Sequence, residues 1–270
     1  MKKFVTVVVL FSLVAFLAVG QEASERGSLR YSVLSTFNDE FVSPEGDTIY
    51  KVGAMSSNQF AGELFFGLSN SQVGIFANYW QKDQLVGEYR ARSGNQKSFG
   101  LNFRQSWYCA EFKIGLGYYS RNQKDFGYNS SMAYFETFSK ERGLEVPVAL
   151  VVAQDIFPLI PWIEVYGKKN LAFTGPSGRS YLKPASWSLG GELSFYRINF
   201  LPDYFFSPTF GIESSGENYE VFNPIYKIGI NIGNNMVRAK ILSFGYFAEG
   251  NINGVEGFYL SFNPVGLFLK

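Results

Sequence analysis

The sequence feature that most constrains the fold is a two-residue alternation of apolar and polar side chains between Gln84 and Tyr118. Three runs carry this alternation: Leu85–Arg92, Phe99–Arg104 and Ala110–Tyr118. Successive side chains of a β-strand point to opposite faces, so each run predicts a strand with one apolar and one polar face. We therefore predict three consecutive strands here, with a turn at Ser93–Asn95 between the first two.

The second and third of these strands also predict a register. A four-residue turn at Ser106–Cys109 would place Phe103 opposite Phe112 on the apolar face. On the polar face the same register would place Arg104 opposite Glu111, which is a pair of opposite charges. Because this register improves the contacts on both faces together, we predict it for the strand pair.

The alternation alone does not say which face meets which medium. In a soluble β-sandwich the apolar face forms the core and the charged face meets water. In a transmembrane barrel the apolar face meets lipid and the charged face lines the lumen. Beyond residue 20 the chain has no apolar segment long enough for a helical span, so any membrane insertion must use strands.

Three features of the strand-like runs favour lipid over water. Their apolar faces are large and aromatic, their opposite faces carry charges of both signs, and turn signals follow at short intervals. The 28 Phe, 17 Tyr, 4 Trp and 28 Gly form a balance typical of barrels, with rings for the lipid face and glycines for turns. At ~10 residues per spanning strand, we predict an all-β fold: a single antiparallel up-and-down transmembrane β-barrel of about 12 strands, within a range of about 10–14.

The N-terminus predicts export. Lys2 and Lys3 precede an apolar run from Phe4 to Val19, and small residues end it at Gly20. This predicts a cleaved signal peptide over residues 1–20 and a barrel domain over residues 21–270, with an uncleaved anchor as the alternative. Cleavage lowers the count of Lys and Arg from 24 to 22 against 23 Asp and Glu, so the basic excess expected of a nucleic-acid-binding protein is absent.

The absence of histidine narrows the chemistry that the chain can perform. Without histidine there is no Ser-His or Cys-His nucleophile, and the commonest metal ligand is missing. The one cysteine, Cys109, excludes an intramolecular disulfide framework. We therefore predict that the protein is not an enzyme and binds neither a metal nor a cofactor.

In a barrel, the charged faces of the strands point into the lumen. An arginine on the lipid face would cost ~2–4 kcal/mol near the bilayer midplane, so in a barrel Arg90, Arg92 and Arg104 must point inward. The predicted lumen-lining residues are Glu88, Arg90, Arg92, Asn102, Arg104, Glu111 and Lys113.

In pattern, residues 28–268 resemble the bacterial outer-membrane β-barrels as a general class. The resemblance implies the outer membrane of a diderm bacterium, contact with outer-membrane lipid and insertion by the barrel insertion machinery. Barrels of this class commonly end on an aromatic residue that closes an alternating strand. Here Phe258, Leu260, Phe262 and Phe268 alternate suitably, but Pro264 and Gly266 interrupt them and Leu269-Lys270 follow. The C-terminal insertion signal therefore departs from the pattern of the class.

Three functions remain open at this point. The first is a porin-like channel or transport barrel that passes small solutes through a mixed-charge lumen. The second is a closed structural or adhesive barrel with a filled lumen, using predicted surface loops at Asn38–Asp47 and Lys168–Pro184 (contact residues Asp39, Glu40, Glu45, Asp47 and Arg179). The third is a secreted soluble β-sandwich that binds sugars. The enzymes known among outer-membrane barrels commonly rely on a catalytic histidine, which this chain lacks.

Overall fold

The computed structural model describes residues 27–36, 40–42, 48–51, 55–66, 70–87, 90–107, 109–129, 131, 133–153, 162–174, 181–217, 220–221, 224–234, 239–250 and 256–263. The predicted signal peptide lies outside these residues. No helix in the described part of the chain is long and apolar enough to cross a membrane.

Twelve strands in the described residues form one closed antiparallel sheet. Their bounds, in chain order, are β1 (Gly27–Thr36), β2 (Met55–Phe66), β3 (Ser71–Gly87), β4 (Arg90–Ser106), β5 (Ala110–Tyr128), β6 (Tyr134–Ala153), β7 (Trp162–Thr174), β8 (Tyr181–Ser194), β9 (Tyr204–Glu217), β10 (Ile225–Asn234), β11 (Ala239–Glu249) and β12 (Glu256–Phe262). Each strand pairs with the next one along the chain, and β12 pairs with β1, which closes the barrel. The predicted antiparallel up-and-down barrel of about 12 strands is confirmed.

Short β-segments lie outside this ring of strands. Glu40–Val42 pairs with Thr48–Lys51 in a separate hairpin, and Ile198–Leu201 and Glu220–Val221 pair with the two ends of β9. We call the barrel end where β1 begins and β12 ends the lower end. The other end, where the Glu40–Val42 hairpin follows β1, is the upper end.

The wall of the barrel exposes its apolar side chains and buries its polar ones. On β4, Phe99 is 64% exposed and Leu101 is 62% exposed, whereas Asn102 between its apolar neighbours is 5% exposed. A soluble sandwich requires the opposite arrangement, with the apolar face inside, so the β-sandwich alternative is wrong. An outward face of this kind needs hydrocarbon around it.

The register between β4 and β5 differs from the predicted one by two residues. Phe103 lies opposite Ile114 and Arg104 lies opposite Lys113. The N–H of Trp107 donates a hydrogen bond of 2.7 Å to the carbonyl oxygen of Ala110, so the turn is two residues shorter than predicted. A shift of two residues keeps every side chain on its predicted face, because the period of a strand is two.

The predicted turn at Ser93–Asn95 is also wrong, because this segment lies inside β4. Ser139–Gly143, whose charged residues and glycine are typical of a turn, likewise lies inside β6. The glycines in these segments let neighbouring strands approach each other closely, and they do not reverse the chain. A Cβ atom at Gly143 would clash with the carbonyl oxygen of Leu171 on β7, and one at Gly94 would lie 3.2 Å from the carbonyl oxygen of Asn122 on β5. The actual reversal lies within the run predicted as the first strand, where Gly87 pairs with Arg90.

The predicted loop Lys168–Pro184 is shorter than expected. Lys168 lies within β7 and Pro184 within β8, and these strands pair across the segment. The alternation of β7 explains the error, since Asn170 is buried while Lys169 and Phe173 on the other face are exposed. Part of the predicted acidic loop Asn38–Asp47 is likewise strand, over Glu40–Val42.

Candidate functional site: the lumen

The interior of the barrel is polar and rich in ion pairs. Among the described residues, nine acidic and eight basic side chains form ion pairs inside it. They are Glu63, Glu111, Asp125, Glu141, Glu145, Glu164, Glu192, Glu213 and Glu217, together with Arg30, Arg92, Arg104, Lys113, Arg121, Lys168, Lys227 and Lys240. The two signs nearly balance, so the lumen has no strong excess of either charge.

One group of these residues, the upper cluster, consists of Arg92, Arg121, Asp125, Glu141 and Glu217. Arg92 Nη1 lies 2.6 Å from Glu217 Oε2, and its Nε donates a hydrogen bond of 2.8 Å to Asp125 Oδ1. Arg121 pairs with the other oxygen of Glu217 and lies 3.2 Å from Glu141. Arg92 and Arg121 lie on β4 and β5, and Glu217 lies on β9, five and four strands away around a ring of twelve. The upper cluster therefore crosses the lumen.

A second group, the lower cluster, consists of Arg30, Glu164, Glu192 and Lys240. Lys240 Nζ lies 2.8 Å from both Glu164 and Glu192, and 5.1 Å from the centre of the Trp162 ring. Arg30 Nη2 lies 3.9 Å from Glu164 Oε1. Since Arg30 is on β1 and Glu164 on β7, six strands away, this pair joins opposite sides of the barrel.

A third group, the wall cluster, consists of Glu63, Arg104, Glu111 and Lys113. Lys113 Nζ lies 3.0 Å from Glu63 and 3.2 Å from Glu111, and Arg104 lies 3.5 Å from Glu111. The guanidinium of Arg104 also stacks at 4.2 Å over the ring of Phe65. These residues lie on β2, β4 and β5, within the four neighbouring strands β2 to β5. The wall cluster therefore lines one side of the lumen without crossing it.

Between these clusters, the carboxylate of Glu145 on β6 is fully buried. It accepts hydrogen bonds from Gln96 Nε2 at 2.6 Å and from Ser98 Oγ at 2.8 Å, and Lys168 Nζ lies 3.6 Å away. A buried carboxylate is stable only when its oxygens are satisfied in this way. Glu145 fixes β4, β6 and β7 to one another at mid-height.

Five of the seven residues predicted to line the lumen have described side chains, and all five point inward. Arg92, Arg104, Glu111 and Lys113 belong to the clusters above, and Asn102 Nδ2 donates a hydrogen bond of 3.3 Å to Glu63. The side chains of Glu88 and Arg90 lie outside the described residues. Of the predicted surface residues, Glu40 lies in the short hairpin, and Asp39, Glu45, Asp47 and Arg179 lie outside the described residues.

Sequence reasoning missed the residues that complete the bridges across the lumen, above all Glu217, Glu164 and Lys240. A signal for Glu217 was present, since Glu213, Ser215 and Glu217 alternate as the polar face of β9. Alternation assigns such residues to the interior. It does not say which of them meet, because that depends on strand number and register.

The same architecture occurs in known outer-membrane proteins. The translocator domain of autotransporter NalP from Neisseria meningitidis matches with a TM-score of 0.51 and 11% identity, over 88% of this chain and 86% of that chain. The β domain of the Bordetella autotransporter BrkA matches with a TM-score of 0.52 and 11% identity, over 88% and 98%. The chain has the fold of an outer-membrane β-barrel. At these identities the likeness concerns the fold alone, and the sequence matches no known protein family and no curated protein.

The prediction that the chain is not an enzyme is wrong as an inference from its fold and composition. A further structural neighbour of this barrel is LpxR from Salmonella typhimurium, an outer-membrane enzyme, with a TM-score of 0.40 and 11% identity over 87% of this chain and 98% of that chain. The missing histidine excludes only chemistry that needs a histidine side chain.

Proposed function

We propose that this outer-membrane barrel is a narrow porin-like channel whose lumen is constricted by the upper and lower clusters. It passes water and small ions, and larger solutes are excluded while the bridges are intact. The observation that carries the proposal is the bridge from Arg92 and Arg121 on one side of the barrel to Glu217 on the other. The predicted signal peptide and the barrel insertion machinery supply export and insertion in this proposal.

The size of the barrel supports a constricted rather than an open or a solid interior. Side chains fill eight-stranded barrels, and barrels of 16–18 strands leave an aqueous channel. A twelve-stranded lumen lies between these cases, so only long side chains that meet from opposite walls narrow it. Arg92, Arg121 and Glu217 at the upper end, and Arg30 and Glu164 at the lower end, meet in this way.

The balance of charges supports weak ion selectivity. With acidic and basic side chains paired in both clusters, neither cations nor anions meet a ring of uncompensated charge. Passage of a polypeptide, which the names of NalP and BrkA suggest for those autotransporter barrels, is not part of this proposal, because the bridges cross the space that a polypeptide would occupy.

The test is single-channel conductance of the refolded mature chain, residues 21–270, in a planar bilayer. The variant Glu217→Gln removes the carboxylate charge that holds the bridge, while Arg92 keeps Asp125 and Arg121 keeps Glu141. We expect small current steps for the wild type and several-fold larger steps for the variant, because Arg92 and Arg121 are no longer held to the opposite wall.

The matched control is Glu136→Gln, which removes a carboxylate that pairs with Lys124 on the outer wall. We expect its conductance to equal that of the wild type. If the wild type and Glu217→Gln both insert and neither conducts, the proposal fails and the barrel is a filled, structural one.

A further inference from the structure

The outer wall formed by β4, β5 and β6 changes from apolar to basic toward the upper end. The last apolar row is Phe99–Tyr118–Leu144, where each residue lies opposite the next on the neighbouring strand. The three rows above it are Lys97–Ser120–Arg142, Asn95–Asn122–Lys140 and Ser93–Lys124–Phe138. All of these residues share the outward face with the exposed Phe99, so they lie outside the lumen.

Four cations and no acidic residue occupy these nine positions. We call Lys97, Lys124, Lys140 and Arg142 the basic face. Lys124 lies 3.0 Å from Glu136, one row further up. Within the part of the chain that the structure describes, Lys97, Lys140 and Arg142 are exposed and have no anionic partner. An uncompensated cluster of this kind attracts an anion from outside the protein.

We propose that the basic face binds the phosphate groups of the phosphorylated glycolipid in the outer leaflet of the membrane. Its position argues for a lipid, because the first basic row follows directly on the last apolar row, at the level where hydrocarbon gives way to headgroups. Lysine offers a point charge to a phosphate, and the planar guanidinium of Arg142 offers two parallel hydrogen bonds. Basic clusters next to a membrane-spanning segment recognise anionic lipids in general.

The upper end faces the cell exterior in this proposal. The connection between β1 and β2 at the upper end spans residues 37–54, longer than any connection at the lower end. Bacterial barrels keep their short turns on the periplasmic side and their longer loops outside. Two aromatic rings on this face, the half-buried Tyr118 beside the boundary and the exposed Phe138 within the basic rows, are suited to the interface between acyl chains and headgroups.

The experiment titrates lipopolysaccharide and, separately, phosphatidylglycerol into the refolded mature chain in neutral detergent, with calorimetry as the readout. The test variant combines Lys97→Gln, Lys140→Gln and Arg142→Gln, which are exposed positions and leave the lumen untouched. The control variant combines Lys97→Arg, Lys140→Arg and Arg142→Lys, which keeps all three charges.

We expect the wild type to bind lipopolysaccharide more tightly than phosphatidylglycerol. The glutamine variant should lose on the order of 100-fold in affinity, from about fivefold per cation near a membrane surface, and the control should stay within about threefold of the wild type. Raising the salt from about 0.1 to 1 M should weaken wild-type binding, because it screens exposed charges.

Two results would overturn the proposal. If the glutamine variant is folded and binds lipopolysaccharide as the wild type does, or if the folded wild type does not bind it, the basic face is only a solvated surface. If phosphatidylglycerol binds as tightly as lipopolysaccharide, the face recognises any anionic leaflet and the assignment to the outer-leaflet glycolipid is wrong.

Discussion

The upper cluster and the wall cluster are built from the same kinds of side chain, yet they do different things. In the upper cluster, Arg92 and Arg121 reach Glu217 across the lumen from strands four or five positions away. In the wall cluster, Lys113 and Arg104 pair with acids on the same side of the barrel. The number of strands between its two partners, rather than its chemistry, therefore decides whether an ion pair crosses the lumen or stays on one wall.

The largest expected effect comes from opening both crossing clusters at once. The upper and lower clusters lie in series along the lumen, so after either one is opened the other still limits the current. The double variant Glu164→Gln with Glu217→Gln should therefore raise single-channel conductance by more than the sum of the two single increases. If the increase in the double variant only equals the sum of the two single increases, the upper and lower clusters do not constrict the same path through the barrel.

A smaller effect, on stability rather than on current, is expected from the wall cluster. Arg104→Met removes the pair with Glu111 and the guanidinium stacked on Phe65. Because Arg104 is buried, we expect the free energy of unfolding in lipid vesicles to fall by about 2 kcal/mol, with conductance unchanged. Glu136→Gln, at an exposed position of the outer wall, is the control and should change the free energy of unfolding by less than about 0.5 kcal/mol.

The faces of the strands could be predicted from the sequence, because alternation depends only on local geometry. Phe99 and Leu101 face outward and Asn102 and Arg104 face inward, as the pattern indicates. The ends of the strands could not be predicted from this alternation. Gly143 satisfies the composition of a turn, but its place in β6 is set by the close approach of Leu171 on another strand, which no local pattern records.

The residues that pair across the lumen could not be predicted from the sequence. Arg92 was predicted to line the lumen, and the structure places it there with Asp125 on the neighbouring strand. Its partner Glu217 is 125 residues away in sequence. Which wall residues meet across a barrel depends on the number of strands and on the accumulated register of every pair between them. The error of two residues between β4 and β5 would by itself have misplaced that meeting point.

The most direct measurement compares Glu217→Gln with Glu63→Gln in single-channel recordings under the same conditions. Each variant removes one lumen carboxylate of similar exposure, 17% for Glu217 and 26% for Glu63, but only Glu217 crosses the lumen. We expect a several-fold rise in conductance for Glu217→Gln and wild-type conductance for Glu63→Gln. Equal rises in both variants would show that loss of lumen charge, and not loss of the bridge, governs the current, and would contradict the proposed constriction.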